Sequence, residues 1–229
     1  MDNMDKRLQP LLAEAIGTFA FFVIGAGAIV TDHYSKGGVG LIGIALAHGL
    51  VLSVMISMFG RISGGHFNPA VTIGVLIGKK IDAPLAGLYI VAQLIGAVCA
   101  GGVLRMAFDP SVWGPVHLGT PGLGAGISFG AGVFIEAVLT FFLVMAVYGT
   151  AVDPQAPNIA GFGIGLTVAF DILMGGPLTG ASMNPARTFG PALASGYWDN
   201  HLVYWIGPII GGAIAGLVYT NFFMSKPGK

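Results

Sequence analysis

The chain has 229 residues, of which 55% are hydrophobic and 9% are charged, with 10 basic and 10 acidic side chains. A soluble domain carries about 25% charged residues, whereas the mean hydropathy here is +0.83. The neutral balance gives no reason to expect a nucleic-acid partner. The single cysteine, Cys99, excludes an internal disulfide and a cysteine metal cluster. We therefore expect an integral membrane protein with no cofactor and no bound metal.

Six apolar segments are long enough to cross a bilayer, since a spanning helix needs about 20 mostly apolar residues. In chain order they cover 11–31, 39–60, 83–104, 127–150, 158–178 and 202–224. Three contain no Asp, Glu, Lys or Arg, and each of the others contains one carboxylate: Glu14, Glu136 or Asp171. The first span lacks a small-residue cleavage site with a polar sequel, so it is not a removable signal peptide. The sequence predicts one all-α membrane domain over 1–229.

Two shorter apolar stretches, 66–78 and 182–195, each begin close to an Asn-Pro-Ala: Asn68-Pro69-Ala70 and Asn184-Pro185-Ala186. Asn is a strong N-cap, and Pro is favoured at the first helical position. At 1.5 Å per residue, a helix of this length reaches about halfway across a ~30 Å hydrocarbon core. We expect two re-entrant half-helices, with non-helical lead-ins at 62–66 and 177–182. Such backbone is tolerated only inside protein or beside water.

The two halves of the chain echo each other. Residues 13–19 resemble 135–141, residues 43–46 resemble 163–166, and residues 95–96 resemble 206–207. Each half has three spans, so the second half enters the membrane from the opposite side. The prediction is an inverted 3+3 repeat whose half-helices meet near the midplane. Repeat 1 covers about 8–105, a linker rich in Gly and Pro covers about 106–126, and repeat 2 covers about 127–225.

Lys and Arg placement gives the orientation, because cytoplasmic loops carry an excess of both. With the N-terminus inside, the cytoplasmic side holds most of them: Lys6, Arg7, Arg61, Lys79, Lys80, Lys226 and Lys229. The other side holds Lys36, Arg105 and Arg187. We expect a multi-pass protein of the cell membrane with both termini in the cytoplasm.

The paired motifs predict a small polar site inside the membrane. The Asn68 and Asn184 side chains can cap their helices through oxygen and offer N–H donors to a pore. A water that accepts from both turns its own donors along the pore, which interrupts a proton wire. The two convergent helix dipoles disfavour a cation. Mere helix capping is the alternative, and the duplication argues against it.

Arg187 lies three residues after Asn184, so it falls on a similar face of its half-helix, and its counterpart in the first repeat is Val71. Ionisable groups in spanning regions are functional candidates by default. A cation on one side only would narrow the pore and repel cations. An interfacial Arg that extends to the headgroups is the alternative.

The motifs resemble those of the aquaporin family, also called major intrinsic proteins. Residues 63–72 read SGGHFNPAVT, residues 180–191 read GASMNPARTFGP, and both halves start with Glu-x-x-x-Thr-Phe. The resemblance covers nearly the whole chain and implies six tilted helices, two half-helices, a narrow pore in each subunit and a homotetramer. Thr188 and Ala192 stand where glycerol facilitators have Asp and a basic residue, so the water-channel branch fits better. Short termini favour a prokaryotic or archaeal-like member.

The same resemblance places His48, Ile172 and Ala181 beside Arg187 at the constriction. From the residues alone, His48 is equally compatible with a core histidine bonded to a backbone carbonyl. In strict water channels the residues at the four positions resemble Phe, His, Cys and Arg, whereas the set in this chain is similar to that of plant vacuolar members. Relative to strict water channels, one wall of the constriction is less polar in this chain. We therefore expect water to pass, together with small neutral solutes such as ammonia or glycerol.

The sequence also predicts roles for four further side chains. Glu14 and Glu136 would be costly facing lipid, and the resemblance implies that they bind the lead-ins of the half-helices; a proton relay is the alternative. His66 braces its lead-in or lines the inner mouth. His117 in the linker resembles a loop histidine of ammonia-passing vacuolar relatives and is a candidate for the outer mouth, although a solvated loop histidine is equally compatible. Asp171 receives no firm role.

Two function classes remain. The first is a passive channel for water and small neutral solutes. The alternative is an ion-coupled secondary transporter built on an inverted repeat. A transporter needs coupling groups that change state, whereas the two motifs offer amides and one Arg. An enzyme is not expected, because the sequence has no metal-ligand cluster, nucleophile elbow or phosphate loop.

Overall fold

The computed structural model describes residues 3–224, with side chains from Leu8 onward. The orientation argument from Lys6, Arg7, Lys226 and Lys229 therefore rests partly on side chains outside the described residues. The regular secondary structure of residues 3–224 is entirely helical, and these residues contain no β-strand. The α-helices are α1 (Asn3–Tyr34), α2 (Gly40–Ser63), α3 (Pro69–Ile77), α4 (Ala83–Ala107), α5 (Pro110–Trp113), α6 (Phe129–Val147), α7 (Ala160–Thr179), α8 (Pro185–Ser195) and α9 (Val203–Val218).

Six of these helices are long and apolar enough to cross a membrane. Helices α6 and α9 are extended by one π-helical turn each, at Tyr148–Val152 and Tyr219–Phe223. The spanning segments are Leu8–Tyr34, Gly40–Ser63, Ala83–Ala107, Phe129–Val152, Ala160–Thr179 and Val203–Phe223. The six predicted spans are confirmed, with ends that differ by a few residues. Helices α3 and α8, at 9 and 11 residues, are too short to span.

The helices pack as two interlocked repeats. Helix α1 lies against α4 as α6 lies against α9, and α2 crosses α7 at the interface between the repeats. The half-helices exchange partners, because α3 packs on α9 and α8 packs on α4. At the α2–α7 crossing, a Cβ at Gly49 would lie 2.6 Å from the Gly165 carbonyl oxygen, and one at Gly165 would lie 2.3 Å from that of Gly49. Only glycine permits this reciprocal approach.

Close contacts at two glycines show that one predicted alignment between the repeats, 95–96 with 206–207, is wrong. A Cβ at Gly96 would lie 2.2 Å from the carbonyl oxygen of Ala15, and one at Gly211 would lie 2.1 Å from that of Ala137. The counterpart of Gly96 is therefore Gly211 and not Gly207. A short dipeptide match is too weak to determine register, whereas the close approach of two backbones is specific.

The lead-ins are shorter than predicted. Helix α2 continues to Ser63 and α7 continues through Pro177 to Thr179. Gly64 and Gly180 end them in left-handed conformations, with φ of 91° and 82°, and their N–H groups bond to the carbonyls four residues back. The non-helical lead-ins are thus 64–67 and 180–183. A proline inside a membrane helix is tolerated because neighbouring elements satisfy the freed backbone groups.

Candidate functional site

The buried carboxylate of Glu14 holds the first lead-in. Its Oε1 accepts from Ser63 Oγ at 2.6 Å and from the His66 backbone N–H at 2.9 Å. Its Oε2 accepts from the Phe67 backbone N–H at 2.7 Å and from Gln93 Nε2 at 2.7 Å. The side chain of Glu14 is 0% exposed. Because four donors meet one carboxylate, the non-helical backbone has its hydrogen bonds inside the protein.

Glu136 does the same for the second lead-in. Thr179 Oγ1 donates to Oε1 at 2.7 Å, and the Ser182 backbone N–H donates to the same oxygen at 2.9 Å. The Met183 backbone N–H donates to Oε2 at 2.7 Å. The two carboxylates therefore contact equivalent atoms in the two repeats.

The two Asn-Pro-Ala motifs meet face to face. Asn68 Oδ1 accepts from the Ala70 N–H at 2.8 Å, and Asn184 Oδ1 accepts from the Ala186 N–H at 3.0 Å, so each Asn caps its own half-helix. The amide nitrogens cross between repeats: Asn68 Nδ2 donates to the Met183 carbonyl at 2.8 Å, and Asn184 Nδ2 donates to that of Phe67 at 3.0 Å. Each amide nitrogen carries two hydrogens, which leaves one on each Asn for a ligand.

A narrow lumen passes these amides. Its central part has a free volume of about 20 Å³, which is room for about one water molecule. Apolar side chains form one part of its lining, and residues of both lead-ins and both Asn side chains form the rest. The lining includes Phe21, His48, Leu52, Val71, Leu143, Ile172, Ala181, Asn68 and Asn184.

His48 and Arg187 join across the outer end of this lumen. His48 Nδ1 lies 2.8 Å from the Ile44 carbonyl oxygen, which can only accept, so Nδ1 carries the hydrogen. Nε2 of a neutral ring is then an acceptor, and Arg187 Nη2 donates to it at 3.2 Å. Both side chains are buried. The histidine thus combines the carbonyl-bonded and pore-lining arrangements that the sequence left open.

The remaining guanidinium atoms of Arg187 are free. Nε and Nη1 are buried and have no protein hydrogen-bond partner, and unpaired buried donors are costly. Ile172 borders both the lumen and the wider outer space, and Ala181 borders the lumen. The structure therefore brings His48, Ile172, Ala181 and Arg187 together at one end of the lumen.

An outer vestibule of about 270 Å³ opens beyond Arg187. Residues 119–122 of the linker border it. The ring of His117 instead stacks on Tyr197, with centroids 3.9 Å apart and an interplanar angle of 3°. Partial burial and the nearby Asp199 raise the pKa of Tyr197 above its usual value. Residues 119–122 of the linker thus border the mouth, and the His117 ring packs against Tyr197.

An inner vestibule of about 670 Å³ lies at the opposite end. His66 borders both this space and the lumen. Its Nδ1 is 3.1 Å from Thr72 Oγ1, and its ring packs edge-on against Tyr89 at 5.3 Å. His66 is thus in contact with its half-helix and also faces the inner mouth.

Sequence reasoning missed three side chains around the lead-ins. Gln93 Nε2 bonds to Glu14 and also to Thr72 Oγ1 at 3.0 Å. Tyr89 and Tyr204 donate to the carbonyls of Ser63 and Thr179 at 2.9 and 2.8 Å. Polar residues within apolar spans were the available signal.

Asp171 is buried, and its Oδ2 has no hydrogen-bond partner. Cys99 is exposed on the outer surface of α4.

Six spanning helices and two half-helices around one narrow lumen define a membrane channel. The sequence matches the family described as Major intrinsic protein over residues 3–219, and the chain belongs to this family. Family membership confirms the expectation of a passive channel for water or small solutes rather than an enzyme, and nothing in the comparisons supports the ion-coupled transporter.

Named relatives agree with this assignment. Aquaporin TIP4-4 of Zea mays is 48% identical over 96% of this chain and 89% of its own length. Aquaporin TIP2-1 of Arabidopsis thaliana is 42% identical, with the same coverage of 96% and 89%. Among solved structures, the aquaglyceroporin from Plasmodium falciparum superposes with a TM-score of 0.78 at 23% identity, over 94% of this chain and 96% of that one. The last similarity supports the fold.

Proposed function

We propose that the whole chain is one channel domain that conducts water as its main substrate and excludes protons and ions at two points of its lumen. One observation carries the proposal: Asn68 and Asn184 cap opposed half-helices and border the same lumen. Their places at equivalent points of the two repeats support a shared role. Pro69, Ala70, Pro185 and Ala186 form the first turns of these half-helices.

Proton exclusion follows from the free amide hydrogens. A water between the two Asn side chains accepts a hydrogen bond from each, so its own hydrogens point along the lumen in opposite directions. Neighbouring waters are then oriented away from the centre, which breaks the continuous donor–acceptor chain that proton transfer requires. The positive ends of both half-helix dipoles point to the same place and raise the free energy of a cation there.

Solute selection occurs at the second point, where His48, Ile172, Ala181 and Arg187 meet. The guanidinium borders the outer vestibule, where its charge repels cations. Ile172 and Ala181 offer no hydrogen bonds through their side chains, so the wall opposite the guanidinium is apolar. Small amphipathic solutes such as ammonia or glycerol fit this chemistry as secondary substrates.

The assembly and location are parts of the same proposal. Many exposed large apolar side chains lie on the spanning helices, among them Ile42, Phe162 and Phe170, as expected for surfaces that face lipid or other copies. A homotetramer with one lumen per subunit buries part of this surface. Arg61, Lys79 and Lys80 on one side favour both termini in the cytoplasm of a cell-membrane protein. Light scattering of the detergent-purified protein measures the subunit number.

The test is stopped-flow shrinkage of proteoliposomes under osmotic steps with an impermeant solute, glycerol or ammonia. Wild type shrinks fast with a low activation energy. Arg187→Val passes glycerol faster, because the charged wall becomes short and apolar. Lys80→Ala removes a positive charge from an exposed loop and serves as the matched control, with unchanged rates. Shrinkage of wild-type vesicles no faster than that of empty liposomes contradicts the proposal.

A further inference from the structure

The imidazole of His48 lies against one short stretch of α1. Phe21 meets the ring edge-on, with centroids 5.6 Å apart and an interplanar angle of 78°. Gly25, four residues further on, lies on the same face of α1. A Cβ built at Gly25 would lie 2.5 Å from Cδ2 and 2.6 Å from Nε2 of His48. The ring therefore occupies the space that any side chain at position 25 would need.

The ring has little freedom to give way. Its Nδ1 bonds to the Ile44 carbonyl at 2.8 Å, and its Nε2 accepts from Arg187 at 3.2 Å. A methyl group at position 25 would touch Nε2 itself, the atom that receives the Arg187 hydrogen. The open spaces beside His48 are the lumen and the outer vestibule. A displaced ring moves into the path of the solute and away from its bond with Arg187.

We propose that Gly25 and Phe21 are positioning residues of the constriction: they determine where His48 stands and, through Nε2, where Arg187 stands. This inference rests on the proposed function of the constriction as the solute filter. It assigns part of the selectivity to α1, a helix that supplies none of the four side chains at the constriction. Glycine at position 25 is then required by the filter and not by helix packing, because the three heavy atoms nearest to its Cβ all belong to the His48 ring.

The natural substitution is Gly25→Ala, since alanine is a better helix former than glycine. Any loss comes from the contact with the ring and not from the helix. Gly27→Ala is the matched control on the same helix, because its Cβ would meet only the flexible end of Leu104, at 3.3 Å. The same Gly25→Ala change is also made in a His48→Ala background, where the obstructing ring is gone.

The measurements are water and glycerol permeability of proteoliposomes with matched protein content. We expect Gly25→Ala to lower water permeability severalfold and to change the ratio of glycerol to water flux, while Gly27→Ala matches wild type. In the His48→Ala background, adding Gly25→Ala leaves both fluxes unchanged. Wild-type permeability in Gly25→Ala overturns the inference. An equal loss in both backgrounds also overturns it, because the methyl would then act through helix packing.

Thermal unfolding in detergent gives a readout that does not depend on flux. Gly25→Ala lowers the midpoint when His48 is present and raises it when His48 is alanine, since the methyl then fills space and favours the helix. The same sign in both backgrounds contradicts the inference. If wild type itself conducts nothing, the proposed function fails, and this reversal of sign still decides whether Gly25 positions His48.

Discussion

The lead-ins of repeat 1 and repeat 2 are held by nearly the same set of hydrogen bonds, although their residues differ. In each, a carboxylate on the first helix of the repeat accepts from two consecutive backbone N–H groups and one hydroxyl. In each, a tyrosine hydroxyl bonds to the last carbonyl of the preceding helix, and an Asn amide donates to the other lead-in. The equivalent pairs are Ser63 and Thr179, Gly65 and Ala181, His66 and Ser182, Phe67 and Met183, and Tyr89 and Tyr204.

The lead-ins differ in what they present around this shared frame. Repeat 1 places Gln93 on its carboxylate, whereas the equivalent position on α9 is Pro208. Repeat 2 places Arg187 where repeat 1 has Val71, and that guanidinium reaches His48. The symmetric contacts hold the half-helices in place. We propose that Arg187 and His48, which have no counterparts of their kind in the other repeat, select the solutes.

Removal of either carboxylate is expected to have the largest effect. Glu14→Ala and Glu136→Ala each leave three or more buried donors without an acceptor. An unsatisfied buried donor costs about 1–3 kcal/mol, so each variant loses several kcal/mol of stability. Thermal unfolding in detergent measures the loss, with the Gln variants as milder controls that keep one acceptor oxygen. A large loss in one repeat and none in the other would show that the two carboxylates are not equivalent supports.

Mercury probes the asymmetric side. Ala181 borders the lumen, whereas Cys99 lies on the outer surface of α4. Wild-type water flux should therefore be little affected by mercury, and Ala181→Cys should be blocked almost completely and recover with added thiol. Cys99→Ala is the matched control in both backgrounds. Unchanged flux in the Ala181→Cys, Cys99→Ala protein, whose single thiol is at position 181, would show that this assignment of the lumen is wrong.

The two Asn caps should contribute about equally, although Asn184 Oδ1 also accepts from the Arg187 N–H at 3.2 Å. Asn68→Ala and Asn184→Ala each remove a cap, worth about 0.5–2 kcal/mol, and one bond to the opposite repeat. Ser at either position retains the helix cap but cannot reach the opposite lead-in. The Ser variants therefore separate the contribution of the cap from that of the bond between the repeats. Unfolding midpoints of the four variants test this equality. A loss in the Ser variants as large as in the Ala variants would mean that the cross-repeat bond, and not the cap, carries the effect.

Gln93→Leu should give the smallest effect. The change removes one of the four donors to Glu14. We expect water flux to stay intact, because the equivalent position in the second repeat is Pro208, which has no side-chain donor. One hydrogen bond to a charged group is worth about 1.5–3 kcal/mol, and the unpartnered Oε1 of Gln93 offsets part of it. The midpoint should fall slightly. A loss comparable to that of Glu14→Ala would show that Gln93 is a main support of the lead-in.

Residue patterns alone predict the membrane setting, the six spans, the two half-helices and the paired Asn caps. These features are local: span length follows from a run of apolar residues, and a helix start follows from Asn followed by Pro. The duplication added the inverted topology, because three spans per half admit no other arrangement. The residues at the constriction came from resemblance rather than from spacing.

Which atoms come into contact depends on the packing of the helices. Glu14 and Gln93 are 79 residues apart, and His48 and Arg187 are 139 apart. No local pattern relates such pairs, because their contact depends on how the helices cross. The hydrogen on His48 Nδ1, the stacking of His117 on Tyr197 and the space that Gly25 leaves for the ring all follow from that packing. Helix boundaries are local properties of the chain, whereas the shape of the lumen is a property of the whole bundle.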